Sequence, residues 1–132
     1  MFMAVSDFNL QLAGSDALKQ WFGDWPNFHD AEVISLNLSR KAQSVLRVYP
    51  YYPEKPATVE FVLNEITELE LADFSSQNVI SGLTIEQVTN KEGEAVLRLQ
   101  MFPCYGLAGY IEAKRLQLNL IPGRSTDGGR AW

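Results

Sequence analysis

The chain has 132 residues, 46% of them apolar, which suits one domain around a single core. Its net charge of −5 argues against a protein that grips the phosphates of nucleic acid, because that takes a basic stripe. With one cysteine, Cys104, and one histidine, His29, the chain has neither an internal disulfide nor a Cys- or His-rich metal cage, so no metal or other cofactor is expected.

The opening MFMAVSDFNLQLAG has no basic flank and no continuous apolar core, and no stretch nears the roughly 20 apolar residues of a membrane span. A reduced, cytoplasmic protein without a membrane partner is expected. SDALKQWFGDW then predicts a short helix, with Ser15 as N-cap, Asp16 in the first turn, Leu18, Trp21 and Phe22 on one face, and Gly23 at its end.

After WPNF the period becomes two. Ile34, Leu36 and Leu38 alternate with Val33, Ser35 and Asn37, which predicts a strand whose apolar face is the first set. SVLRVYPYY, ATVEFVLNEITELEL, SGLTIEQVTN, EAVLRLQMF and GYIEAKRLQLNL continue the alternation between Pro, Gly and Asn turn signals. The links are too short for crossover helices. The expected fold is therefore α+β: one domain of mainly antiparallel sheet, about six strands in meander-like order, with the short N-terminal helix packed on one face. The apolar phase slips between Ala113 and Leu116, predicting a bulge or bend near Lys114 and Arg115. The domain is expected to span 1–123. Residues 124–132 offer little to bury except Trp132 and read as a loose tail.

The stretch WPNFHDAEV gathers Trp25, Phe28, His29, Asp30 and Glu32 at the helix-to-strand corner. Extending the strand phase backwards puts Asp30 and Glu32 on one side and His29, Ala31 and Val33 on the other, so His29 and Asp30 point apart. A metal site here would have one histidine and otherwise only carboxylates, a weak donor set for zinc. The favoured reading is structural, with Asp30 or Glu32 bonding backbone at the corner and His29 holding the loop; a partner contact and a catalytic or metal role are the alternatives. Cys104, in FPCYG, has neither an elbow nor a Gly-rich oxyanion loop beside it, and CYGLAG is not followed by a helical period that would make it a phosphate cradle. No catalytic residue is assigned and no enzyme is expected.

Charge is concentrated in one place. Between Glu54 and Asp73 lie six acids and one base, Lys55, a local balance of −5 that equals the net charge of the chain. Alternation places Glu60, Glu65, Glu68, Glu70 and Asp73 on the solvent side of adjacent strands. A merely solvated sheet face is the plain reading; steering of a basic partner is the functional one. Tyr49, Tyr51 and Tyr52, set among Pro50 and Pro53, form either a second part of a contact surface or a loop capping the core.

WPNFHDAEV, the strand ending in Arg40, VEFVLNEITELELADFSSQNVI and YGLAGYIEAKRLQL together resemble the immunity protein 50 family of bacterial polymorphic toxin systems. The likeness runs from about Trp21 to Gly123. Its most specific parts are the first motif and the segment carrying Leu69, Leu71, Phe74, Gln77 and Asn78. The resemblance implies a cytosolic protein that binds and neutralises a cognate toxin, and adds no catalytic residue. A small acidic protein-binding or ligand-binding scaffold is the other class in view.

Overall fold

A computed structural model describes residues 12–125. It contains helix α1 (Ser15–Phe22) and strands β1 (Ala31–Asn37), β2 (Ser44–Tyr49), β3 (Ala57–Ala72), β4 (Val79–Thr89), β5 (Ala95–Tyr105) and β6 (Ala108–Pro122). No helix among these residues is long and apolar enough to cross a membrane. Residues 1–11, and 126–132 of the expected tail, lie outside the described residues.

The six strands are antiparallel to their neighbours, but they close into a barrel in the order β1-β2-β3-β6-β5-β4. This corrects the expected open meander. Two three-stranded meanders, β1 to β3 and β4 to β6, are joined along the long β3–β6 ladder and closed by the pairs Ala31↔Ile80 and Glu32↔Val79. Closure of a sheet satisfies edge N–H and C=O groups that an open sheet would leave bare.

The link from β3 to β4 makes closure possible, because it passes over the β5–β6 turn and delivers β4 to β1. Asn78 fixes that crossing. Its buried Oδ1 accepts from the amides of Ser75 and Leu107, each at 2.9 Å, its Nδ2 donates to the Ser75 carbonyl, and its own carbonyl accepts from Val33 N–H at 2.8 Å.

Inside, Leu46, Val48, Val59, Phe61, Ile80, Ile85, Leu99 and Ile111 are wholly or almost wholly buried in one cluster, with Leu18 of α1 joining it. The helix begins differently from expectation. Gly14 is the N-cap, at φ 91°, and Ser15 lies inside the helix, where its Oγ donates to the Leu12 carbonyl at 2.8 Å. Gly14 is required there: a Cβ would fall 1.9 Å from the Leu118 carbonyl oxygen, where the chain runs against β6. Gly23 closes the helix as expected, donating to the Lys19 carbonyl at 2.8 Å. α1 packs against β6 and reaches the β2–β3 loop, with Trp21 donating to the Lys55 carbonyl and Phe22 set 4.5 Å from the Tyr52 ring.

The face of β1 is also corrected. Ala31 and Val33 are the buried pair, and a register shift between Val33 and Ser35 resets the phase so that Leu36 packs on the core. Leu38 lies past the strand end and is half-exposed. The expected bend in β6 is present: Lys114 and Arg115 are both exposed between buried Ala113 and Leu116, at the point where β6 stops pairing with β5. Across from it Glu65 sits at φ 58°, and the β3 register shifts between Ile66 and Glu68. Both long strands thus turn at the same level and serve both meanders.

Candidate functional site

The WPNFHDAEV corner is built from backbone and aromatics. Ala31 N–H donates to the Phe28 carbonyl at 3.0 Å, closing a turn in which Asp30 takes φ 67°, and Asp30 N–H donates to the Ile80 carbonyl at 2.9 Å. That peptide group ties the corner. The Asp30 carboxylate does not, contrary to expectation: it faces His29 Nδ1 at 3.2 Å with both side chains more than half exposed, a pair that contributes little in water. His29 also differs from its expected part, since its side chain points to solvent while its backbone N–H donates to Asn27 Oδ1 at 2.9 Å. Asn27 N–H in turn donates to the Tyr52 hydroxyl at 2.8 Å. Buried Phe28 packs between Trp25 and Phe61, each ring at 5.8 Å. Glu32 is buried on the side of β1 turned away from Ala31 and Val33, opposite Tyr49 and Val79. Among the described residues no three of His, Cys, Asp and Glu gather as metal ligands would, and Cys104 is exposed.

The acidic stretch divides along β3. In the first half Glu60, 14% exposed, receives Arg47 Nε at 2.7 Å and Asn119 Nδ2 at 3.3 Å. At the bend Glu65 meets Arg115 at 2.7 Å. These two carboxylates, expected among the partner-binding acids, are already matched within the sheet. Beyond the bend, Glu68 accepts the Tyr110 hydroxyl at 2.7 Å, and neither it, Glu70 nor Asp73 has a cation at ion-pair distance among the described residues. The hydrogen bond to Glu68, aided by desolvation, raises the Tyr110 phenol above its ordinary value.

The tyrosine loop is not beside this field. Tyr49 is buried and Tyr52 is held by Phe22 and Asn27, which makes both structural and leaves Tyr51 as the half-exposed member. The loop precedes β3 and Glu68 lies near its other end, a path of roughly 35 Å at the usual strand rise. The acids and the tyrosines therefore form two separate regions.

Two open pockets lie where β3 continues beyond β2. One of ≈ 440 Å³ is bounded by Leu38, Arg40, Glu65, Ile66 and Leu69. The other, ≈ 300 Å³, is bounded by Leu36, Leu71, Phe74 and Leu107, with Asp73 at its margin. Leu69 and Phe74 are exposed large apolar side chains, at 39% and 64%.

Sequence reasoning passed over the outer row that crosses β3, β6, β5 and β4 at Glu68, Glu112, Arg98 and Glu86. Arg98 Nε donates to buried Glu112 at 2.8 Å, and its guanidinium lies 4.5 Å from the Tyr110 ring centroid. That contact with Glu112, above all, raises the affinity of Arg98 for its proton. Alternation in VLRLQ and YIEAK put both residues outward; their alignment depends on the β5–β6 register, which no local pattern states. No protein-family model matches this chain, and neither does any curated protein or any solved structure.

Proposed function

We propose that this chain is a non-catalytic immunity protein, acting in the cytoplasm, that binds and neutralises a cognate bacterial toxin through a basic patch on that toxin. One observation carries the reading: Glu68, Glu70 and Asp73, without cationic partners among the described residues, stand beside exposed Leu69 and Phe74. Carboxylates of this kind steer a basic surface and set the association rate, while apolar side chains brought out of water supply the anchoring affinity. Glu60, Glu65, Tyr49 and Tyr52 drop out of the contact surface because their groups are used within the fold. The resemblance of WPNFHDAEV and the Leu69 to Asn78 segment supplies the partner class.

The test pairs the protein with its cognate toxin, sought among the products of neighbouring genes. Reversing Glu68 and Glu70 to Lys is expected to slow association about tenfold at low salt and to weaken protection of toxin-expressing cells, with circular dichroism unchanged. The wild-type rate should itself fall as salt rises. Unchanged protection in the variant would place the interface elsewhere. The two pockets favour a second reading, a scaffold for a small apolar ligand, since their volumes fall within or near the range of ligand sites. A ligand that stabilises the protein and leaves toxin binding unaltered would distinguish it.

A further inference from the structure

We propose that the toxin contact includes strand addition: the outer edge of β3 from Asn64 to Ala72 takes up an extended segment of the partner in which lysine or arginine alternates with apolar residues. This rests on the function proposed above and specifies the form of the partner. Three observations converge on it. β2 pairs with β3 only from Val59 to Leu63, so among the described residues the rest of β3 has β6 as its sole neighbour. Alternate peptide groups of such an edge direct N–H and C=O into the space a further strand would fill.

Two open pockets include side chains of this part of β3, one walled by Leu36 and Leu71 and the other by Leu38, Ile66 and Leu69. Every second side chain of an added strand would stand on the face that carries these apolar residues. The remaining side chains would stand on the outer face, alongside Glu68 and Glu70.

Charge selects the occupant. A second copy of this edge would bring its own carboxylates against Glu68 and Glu70 and be repelled, whereas a basic strand would be attracted. Arg115 neutralises Glu65, and Arg40 lines the neighbouring pocket, so the attraction is confined to the Glu68–Asp73 end. The edge of β4 beyond its two contacts with β1 lacks this combination, with Glu86 as the one acid between Leu83 and Thr89.

The probe is a synthetic heptapeptide alternating lysine and valine, titrated into the full-length protein. Backbone amides between Asn64 and Ala72 should gain protection from hydrogen exchange. N-methylating alternate peptide amides should weaken binding about tenfold in one phase and little in the other, because a paired strand turns every second amide towards its neighbour. Equal binding by both methylated peptides and the parent, absence of binding by the parent, or protection confined to β4 would each overturn strand addition. Protection of Asn64–Ala72 without peptide, accompanied by a dimer in sedimentation or by contacts from the chain's own termini, would also overturn it by assigning the edge another occupant. A glutamate-valine peptide that binds as well as the lysine form would instead overturn the basic-partner reading and leave the pairing itself standing, so the two failures are distinct.

Discussion

The two halves of β3 use the same alternation to opposite ends. From Val59 to Leu63 the strand has neighbours on both sides, buries Val59, Phe61 and Leu63, and matches its outward Glu60 with Arg47. From Asn64 to Ala72 it has one neighbour, leaves Leu69 exposed, and carries Glu68 and Glu70 with no cationic partner among the described residues. A pattern of apolar and acidic residues therefore does not by itself say whether a carboxylate is structural or available. The strand lying alongside decides.

The sharpest way to break the comparison is through the apolar positions. Phe61→Ala should cost about 3–5 kcal/mol, since it empties a fully buried site packed on Phe28, whereas Leu69→Ala should stay within about 1 kcal/mol. Denaturant unfolding of both variants checks this. A large loss at Leu69 would mean that the second half is covered as the first is.

Smaller effects separate the acids. Glu60→Ala should cost about 1 kcal/mol by removing the carboxylate that Arg47 and Asn119 bond, while Glu70→Ala should change stability by less than about 0.5 kcal/mol. Equal losses by thermal melts would remove the distinction between a matched and an available carboxylate.

The smallest effect is a titration. Because Tyr110 has its phenol raised, its hydrogen bond to Glu68 favours the folded state below the ordinary tyrosine range near pH 10 and loses that contribution as pH rises through the folded-state value. In ultraviolet absorbance Tyr110 should ionise late, and Glu68→Gln should bring it back towards the ordinary tyrosine range. An unchanged profile would detach Tyr110 from Glu68.

Strands were legible because period-two alternation is local: β2 to β6 fall on the segments that show it, and the bend at Lys114 and Arg115 follows from the slip in apolar phase. Closure was not, since it depends on two residue pairs, Ala31↔Ile80 and Glu32↔Val79, between segments far apart in the chain. Asp30 misled for a related reason. An acid beside a histidine suggests side-chain chemistry, yet a left-handed backbone and a donated N–H do the structural task at that position. For the candidate site, sequence located the acids around Glu68, Glu70 and Asp73 but not the matching of Glu60 and Glu65. Those partners arrive from β2 and β6, and only register brings them into reach.

The β3–β6 ladder has a consequence for the order of assembly. The rim of β3 is paired to β6 from Ile66↔Ala113 to Ala72↔Ala108, so the ladder closes across the whole β4–β5 hairpin. Contacts of such long sequence separation form slowly, because chain entropy is lost before pairing returns it. During synthesis β3 leaves the ribosome well before β6, and until the latter arrives Asn64–Ala72 has a paired strand on neither flank among the described residues. The proposed recognition by that rim would thus become available only in a chain that has already folded β6, which would couple binding competence to completion of the barrel.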